Sequence, residues 1–294
     1  MKLLPFLDRL AAGPAASASA PRRALLQQAG RTVLAALPLA LAGTAQPVAA
    51  RTKVTAYDAI AQLLQLERLQ LTYYSRGLTT TGLIPAAQVA GFTRMYDHQL
   101  QHVAFLQSAL QTTGAIVPAL PTFDFSGRKN VATNPVLFPN VLSNYDDFLA
   151  LAQQLEDLGV RLYNTSAFIN TTDAQLAKVL LRILAVEGEH SAHVRGLRRD
   201  RGVAVKNWPS SADAPIVRPA AAQVLTDAAT SGEDSIAQLA SAGVPIVFSN
   251  FLNVFSLSFV TDAALAEAFD EPLSSSTTQN NLLATAQAAL DLFS

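Results

Sequence analysis

Leu66-Glu67-Arg68-Leu69-Gln70-Leu71-Thr72-Tyr73-Tyr74 and Leu155-Glu156-Asp157-Leu158-Gly159-Val160-Arg161-Leu162-Tyr163 share one frame, a glutamate followed seven residues later by a tyrosine. After the first stretch come Gln99 and His102, three residues apart; after the second come Glu187 and His190, spaced alike. The second set follows the first by 88 or 89 residues. A carboxylate on one helix and a Glu-x-x-His pair on the next, used twice, is how a four-helix bundle holds two metal ions in its core. The repetition therefore predicts an all-α chain with Glu67, His102, Glu156, Glu187 and His190 as metal ligands. Gln99 departs from the pattern, because it stands where the first Glu-x-x-His pair needs its carboxylate.

Apolar periodicity supports the same reading. Ile60, Leu64, Glu67, Leu71, Tyr74 and Leu78 recur at steps of three and four, which sets Glu67 within an apolar helical stripe. Pro85 suits the first turn of a second helix, whose stripe runs Phe92, Met95, Gln99, His102, Leu106 and Leu110. A third helix from about Asn144 places Leu149, Ala152, Glu156, Val160, Tyr163 and Ala167 together. Thr172-x-x-Gln175 has the form of a capping box for a fourth helix, with Leu176, Leu180, Ile183, Glu187, His190, Val194 and Leu197 on one face. One buried carboxylate or imidazole costs several kcal/mol when uncompensated, so four helices carrying such groups at matching depth imply a shared counter-ion or a satisfied hydrogen-bond network.

Between Thr112 and Ser143 the period gives way to a segment rich in Pro, Gly and Asn. So long a connection needs a topological reason, and a crossover along the bundle between parallel second and third helices supplies one.

Gln99 limits the chemistry. Three carboxylates do not balance two divalent ions, and an amide oxygen bridges poorly, so a single iron, manganese or zinc ion becomes competitive with a pair. Gln99 is thus a weak ligand or none. His98 points about 100° away from it around the helix and Asp97 points elsewhere as well, so neither replaces it without a local shift. His193, one turn beyond His190 and near the edge of its stripe, reads as a hydrogen-bond donor to the ligands, as an alternative ligand, or as a partly exposed helix residue, which is preferred. Tyr74 and Tyr163 likewise serve either as hydrogen-bond donors to ligands or as ordinary core tyrosines.

Half of the 294 residues are apolar and 15 % are charged, which suffices for a large core. Residues 1–50 hold five Lys or Arg and one Asp, leaving 16 basic and 21 acidic residues in the remainder. That acidic balance argues against nucleic acid as a partner. No cysteine is present, which excludes disulfides, thiolate metal sites and cysteine nucleophiles.

Arg22-Arg23, an apolar run from Thr32 to Ala42, and Val48-Ala49-Ala50 read as a signal or targeting segment over residues 1–50. The run is too short for a comfortable membrane span. Its adjacent arginines suit twin-arginine export, although Pro21 precedes them and no Phe follows; an ordinary secretory signal or an uncleaved leader is the alternative. Each reading places the mature chain in the periplasm or cell envelope.

The four motif stretches, Leu-Glu67 to Tyr74, Asp97-His98-Gln99 to His102, Leu-Glu156 to Tyr163 and Ala185-Val186-Glu187-Gly188-Glu189-His190, resemble the exported ferritin-like domain family, which includes desiccation-related proteins. The resemblance covers about residues 52–200, and Ala268-Phe269-Asp270-Glu271-Pro272-Leu273 also resembles a family segment. It implies a ferritin-like bundle and a stress-associated role, with catalytic activity poorly defined. Gln70 stands where such proteins often carry a second glutamate on the first helix.

Residues 201–294 read as a mostly helical extension. Helical fragments are expected near Ala220 to Ala229, Asp234 to Ala242 and Gln279 to Leu292. The apolar stretch Val244 to Val260, interrupted by serines and asparagines, reads as a segment packed on the bundle and not as a membrane span, with a cover for a partner or dimer surface as the alternative; no transmembrane span is expected in the mature chain. Two functions stand open at this point. One is a metal-binding protein, with oxidation of ferrous iron or removal of peroxide as its chemistry. The other is a metal-free structural, protective or binding bundle.

Overall fold

A computed structural model of the chain describes residues 56–169, 174–230 and 279–294. The described residues are helical, without strands. They comprise α1 (Ala56–Thr79), α2 (Ala86–Thr112), α3 (Tyr145–Ile169), α4 (Ala174–Asp200), a 3-10 turn (Ala220–Ala222), α5 (Gln223–Thr230) and α6 (Gln279–Leu290). The N-terminal segment 1–50, Thr172 of the capping box, and the stretches 234–242, 244–260 and 268–273 lie outside the described residues.

Helices α1 and α2 form one hairpin and α3 and α4 another, joined through close approach of α1 to α3. Tyr74, late in α1, meets Glu156 in the first half of α3, and Tyr163, later in α3, meets Glu67 in the middle of α1. These pairs make α1 and α3 antiparallel. Each hairpin is also antiparallel, so α2 and α3 run in the same direction and the 113–144 segment must cross the bundle. The architecture is a four-helix bundle with the crossover the sequence predicts.

Helix α2 buries Phe92, Met95, Gln99, His102, Leu106 and Leu110, the whole of its expected stripe and nothing else. Helices α1 and α3 bury more than one stripe. In α1, Leu63, Leu66, Leu69 and Tyr73 are buried beside Ile60, Leu64, Glu67 and Tyr74, and Leu71 of the expected stripe is only partly covered. In α3 almost every side chain from Phe148 to Tyr163 is buried. The physical reason lies outside the bundle: α5 and α6 pack on α3, and α6 also packs on α1, so these two helices have covers on both sides.

The caps follow local chemistry. The Asn144 side-chain oxygen accepts hydrogen bonds from the backbone N–H groups of Asp146 (2.9 Å) and Asp147 (3.1 Å), which fixes the start of α3. In the crossover, Phe123, Phe125, Leu137, Phe138 and Val141 are buried. Asp124 organises the bend by accepting from Ser126 and from the Asn130 backbone, and its own N–H donates to the Phe293 carbonyl at 2.7 Å. The ring of Phe293 stacks on Phe138 with centroids 4.8 Å apart. The crossover and the carboxyl-terminal turn thus close over the same end of the core.

The segment after α4 is tied down by a buried ionic network. Arg195 donates to both oxygens of Asp157, at 3.0 and 2.6 Å, and to Asp213 at 2.5 Å. Asp213 in turn accepts from the backbone N–H groups of Lys206 and Ser210. No helix among the described residues is long and apolar enough to cross a membrane.

Candidate metal centre

Glu67, Gln99, Glu156 and Glu187 are wholly buried, and His102 and His190 are 8 % and 4 % exposed. One residue or pair comes from each bundle helix, so the repeated spacing does converge in space. Two groups of donor atoms form, Glu67 with His102 and Glu187, and Glu156 with Glu187 and His190; within each, the atoms lie within 4.8 Å of one another. Glu187 belongs to both groups. Its Oε1 lies 3.4 Å from His102 Nδ1 and 3.5 Å from His190 Nδ1, so one oxygen faces both histidines.

The tyrosines complete a crossed arrangement. Tyr163 donates to Glu67 Oε1 at 2.5 Å, and Tyr74 donates to Glu156 Oε1. Each glutamate therefore has one oxygen held by a phenol from the facing helix while its carboxylate faces a histidine: both Glu67 oxygens lie near His102 Nδ1, Oε1 at 3.2 Å and Oε2 at 3.3 Å, and Glu156 Oε2 lies 3.3 Å from His190 Nδ1. Burial pushes both phenols well above their ordinary pKa, with the nearby carboxylates adding to it, so they remain donors.

Gln70 was legible in the sequence only as a lost acid. In the structure its amide donates to Glu187 Oε2 at 3.2 Å and to the Leu155 carbonyl at 3.3 Å. Gly159, its counterpart 89 residues on, leaves space for that contact. A Cβ at Gly159 would lie 2.6 Å from Glu187 Oε2 and 3.3 Å from Gln70 Nε2. The signal available in the sequence was Gln70's position one helical turn after Glu67, on the same face.

The imidazoles of His98 and His193 stand beside the centre and outside both donor groups. His98 does not replace Gln99, in keeping with its angular position, but it reaches across to α4, where its Nδ1 lies 2.9 Å from His190 Nε2. His193 is partly buried, and its Nε2 is buried without a hydrogen-bond partner.

Electrostatically the carboxylates and imidazoles compensate one another. Burial raises Glu67 and Glu156, and the charge of Glu187 adds to it, so both reach about 7. Burial would likewise raise Glu187, but its contacts with His102 and His190 outweigh this and hold it far below the usual range. Burial alone would lower the two imidazoles; the flanking glutamates reverse the sign and push each up to about 10.

The donor set fits a divalent cation. Gln99 Oε1 and Nε2, Glu156 Oε2, Glu187 Oε1 and His190 Nδ1 are all buried without a hydrogen-bond partner. Glu156 Oε2 and Glu187 Oε1 lie 3.3 and 3.5 Å from His190 Nδ1, yet are directed poorly for hydrogen bonding. The carboxylate oxygens and imidazole nitrogens of the two groups converge, and carboxylate with imidazole suits iron, manganese and zinc.

The family model of the ferritin-like domain matches residues 56–200. No curated protein matches the chain. The matched span begins at the first residue of α1 and ends at the last residue of α4, so fold, ligand spacing and family coincide on the same four helices. Residues 56–200 of this chain are a ferritin-like domain.

Proposed function

We propose that this protein binds a divalent metal ion, iron, manganese or zinc, through Glu67, His102, Glu156, Glu187 and His190, with Gln99 as a weak sixth donor. The observation that carries the reading is the pair of buried carboxylate-histidine groups that share Glu187. With three carboxylates the charge suits one ion better than two, so a mononuclear or unequal site follows. If the ion is iron or manganese, the chemistry it supplies is electron exchange with oxygen or peroxide. Around it, Tyr74 and Tyr163 each hold one oxygen of Glu156 and Glu67, Gln70 holds Glu187, and burial shields the three carboxylates from bulk water. Export to the periplasm or envelope by the segment over residues 1–50, and a stress-associated role of the desiccation-related type, belong to the same proposal; the twin arginines and the motif resemblance support them.

The deciding experiment is metal analysis of the protein purified from its own compartment without chelators. About one ion per chain is expected. Two would indicate a dinuclear centre in spite of Gln99, and none, with none taken up on incubation, would refute metal binding.

A metal-free bundle is the second reading, and one observation favours it. Two imidazoles held protonated by three glutamates make the core nearly neutral without any metal. In that case protons are the counter-ions and the bundle is a structural or protective scaffold.

A further inference from the structure

The chain has four histidines, and all four lie on α2 and α4 around one centre. Two face the carboxylates. The other two, His98 and His193, mark a path outward. The rings of His98 and His190 are 19° from coplanar with centroids 5.2 Å apart, while the facing nitrogens are 2.9 Å apart. That centroid distance is what two rings give when they meet end to end, with a ring radius added at each side. His190 therefore presents Nδ1 to Glu156 and Glu187 and Nε2 to His98, and His98 continues the line away from the core.

His98, His190 and His193 together line an open cavity of about 310 Å³. Two other cavities, of about 420 Å³ beside α1 and α6 and about 170 Å³ beside Ser210, share no residue with the centre. At the rim, the exposed Arg94 and Glu189 carry opposite charges, so the imidazoles are left to set the chemistry. The wall opposite His193 is shaped by Gly91, where a Cβ would lie 2.8 Å from His193 Nε2. A glycine inside a helix costs roughly 1 kcal/mol relative to alanine. Here its absent side chain gives the His193 ring its place in the wall.

We propose that this cavity is the mouth by which a divalent transition-metal ion reaches the buried centre, with His98 and His193 as transient ligands that take the ion from water and pass it along the edge of His190. The inference rests on the metal-binding reading above. Its physical basis is that stripping water from an ion in one step is costly, and replacing that water stepwise by imidazole nitrogen divides the cost.

The test is the rate of Co²⁺ uptake by the full chain stripped of metal, followed by stopped-flow absorbance, with thermal melts to establish folding. The double variant His98→Ala/His193→Ala removes the transient ligands, and Gly91→Leu narrows the mouth by setting a side chain against His193 while both imidazoles stay in the chain. Each is expected to load at least tenfold more slowly than the natural chain and to reach the same Co²⁺ per chain. Either folded variant loading at the natural rate would overturn the mouth. A double variant that ends with fewer ions per chain would make His98 and His193 resident ligands and overturn the transit role. If the natural chain itself takes up no Co²⁺, the metal-binding reading fails, an outcome seen before any variant is compared.

Discussion

At the scale of the residue, Gln99 decides the chemistry. It is wholly buried, and neither its oxygen nor its nitrogen has a hydrogen-bond partner, although a buried amide costs free energy unless it is satisfied. Its counterpart in the second half, Glu187, is the carboxylate common to both donor groups. The two halves of the centre are therefore alike in geometry and unequal in charge. Gln99→Glu restores the fourth carboxylate. It is expected to strengthen uptake of a second ion at least about tenfold, because four carboxylates balance two divalent cations. Without metal the same variant should melt at a lower temperature, since another buried carboxylate is added with no cation to meet it. Isothermal titration with Zn²⁺, together with melts with and without metal, reads both effects. An unchanged stoichiometry and affinity would count against a depleted dinuclear site.

At the scale of the element, the bundle's two halves diverge where α1 faces α3. Gln70 and Gly159 occupy equivalent places in the repeat, and the amide of one extends over the bare backbone of the other to reach Glu187. Gly159 lies inside a helix whose flanking side chains are buried, so Ala there would meet two constraints at once. Intrinsic helix propensity favours Ala by roughly 1 kcal/mol, whereas a methyl 2.6 Å from Glu187 Oε2 forces that carboxylate to move. Overpacking of this kind costs about 1–3 kcal/mol, so the steric term wins and Gly159→Ala should destabilise the fold. Chemical denaturation measures this directly. If Gly159→Ala were more stable, Glu187 would have room that its present packing does not show. The same displacement should weaken metal binding, because Glu187 serves both donor groups.

At the scale of the whole molecule, the core stores protons, and stability becomes a function of pH. His102 and His190 stand at about 10 against an ordinary 6.5, so the folded protein holds these protons more tightly than the unfolded chain. Their contribution is complete below about 6.5 and disappears as pH rises toward 10. Glu67 and Glu156, raised from 4.5 to about 7, act in the same direction over the lower window. Glu187, held below its ordinary 4.5, contributes above that value and loses its effect on acidification. The metal-free protein should therefore be most stable near about pH 4, where the folded and unfolded chains hold equal numbers of glutamate protons, and lose several degrees of melting temperature between pH 6.5 and 10. Scanning calorimetry across that range tests it, and a flat profile would sink the compensated-core picture. Bound metal should flatten the curve, because it displaces the same protons.

Helical period and the repeated Glu, Tyr and Glu/Gln-x-x-His spacing are local properties of the chain. They were enough to determine four helices, the crossover, the stripe of α2 and the five candidate ligands, because 3.6 residues per turn fixes which side chains share a face. The wider burial of α1 and α3 was beyond that reach, since it comes from α5 and α6, which are distant in sequence. So was the role of Gln70, which meets Glu187 across 117 positions, and that of His98, which meets His190 across 92. Angular position places a residue on its own helix but says nothing about what the facing helix extends toward it. A side chain at the edge of a stripe can therefore look idle in the sequence and still hold a buried group in the fold. Only the tertiary structure decided those contacts, because each depends on how closely two helix backbones approach.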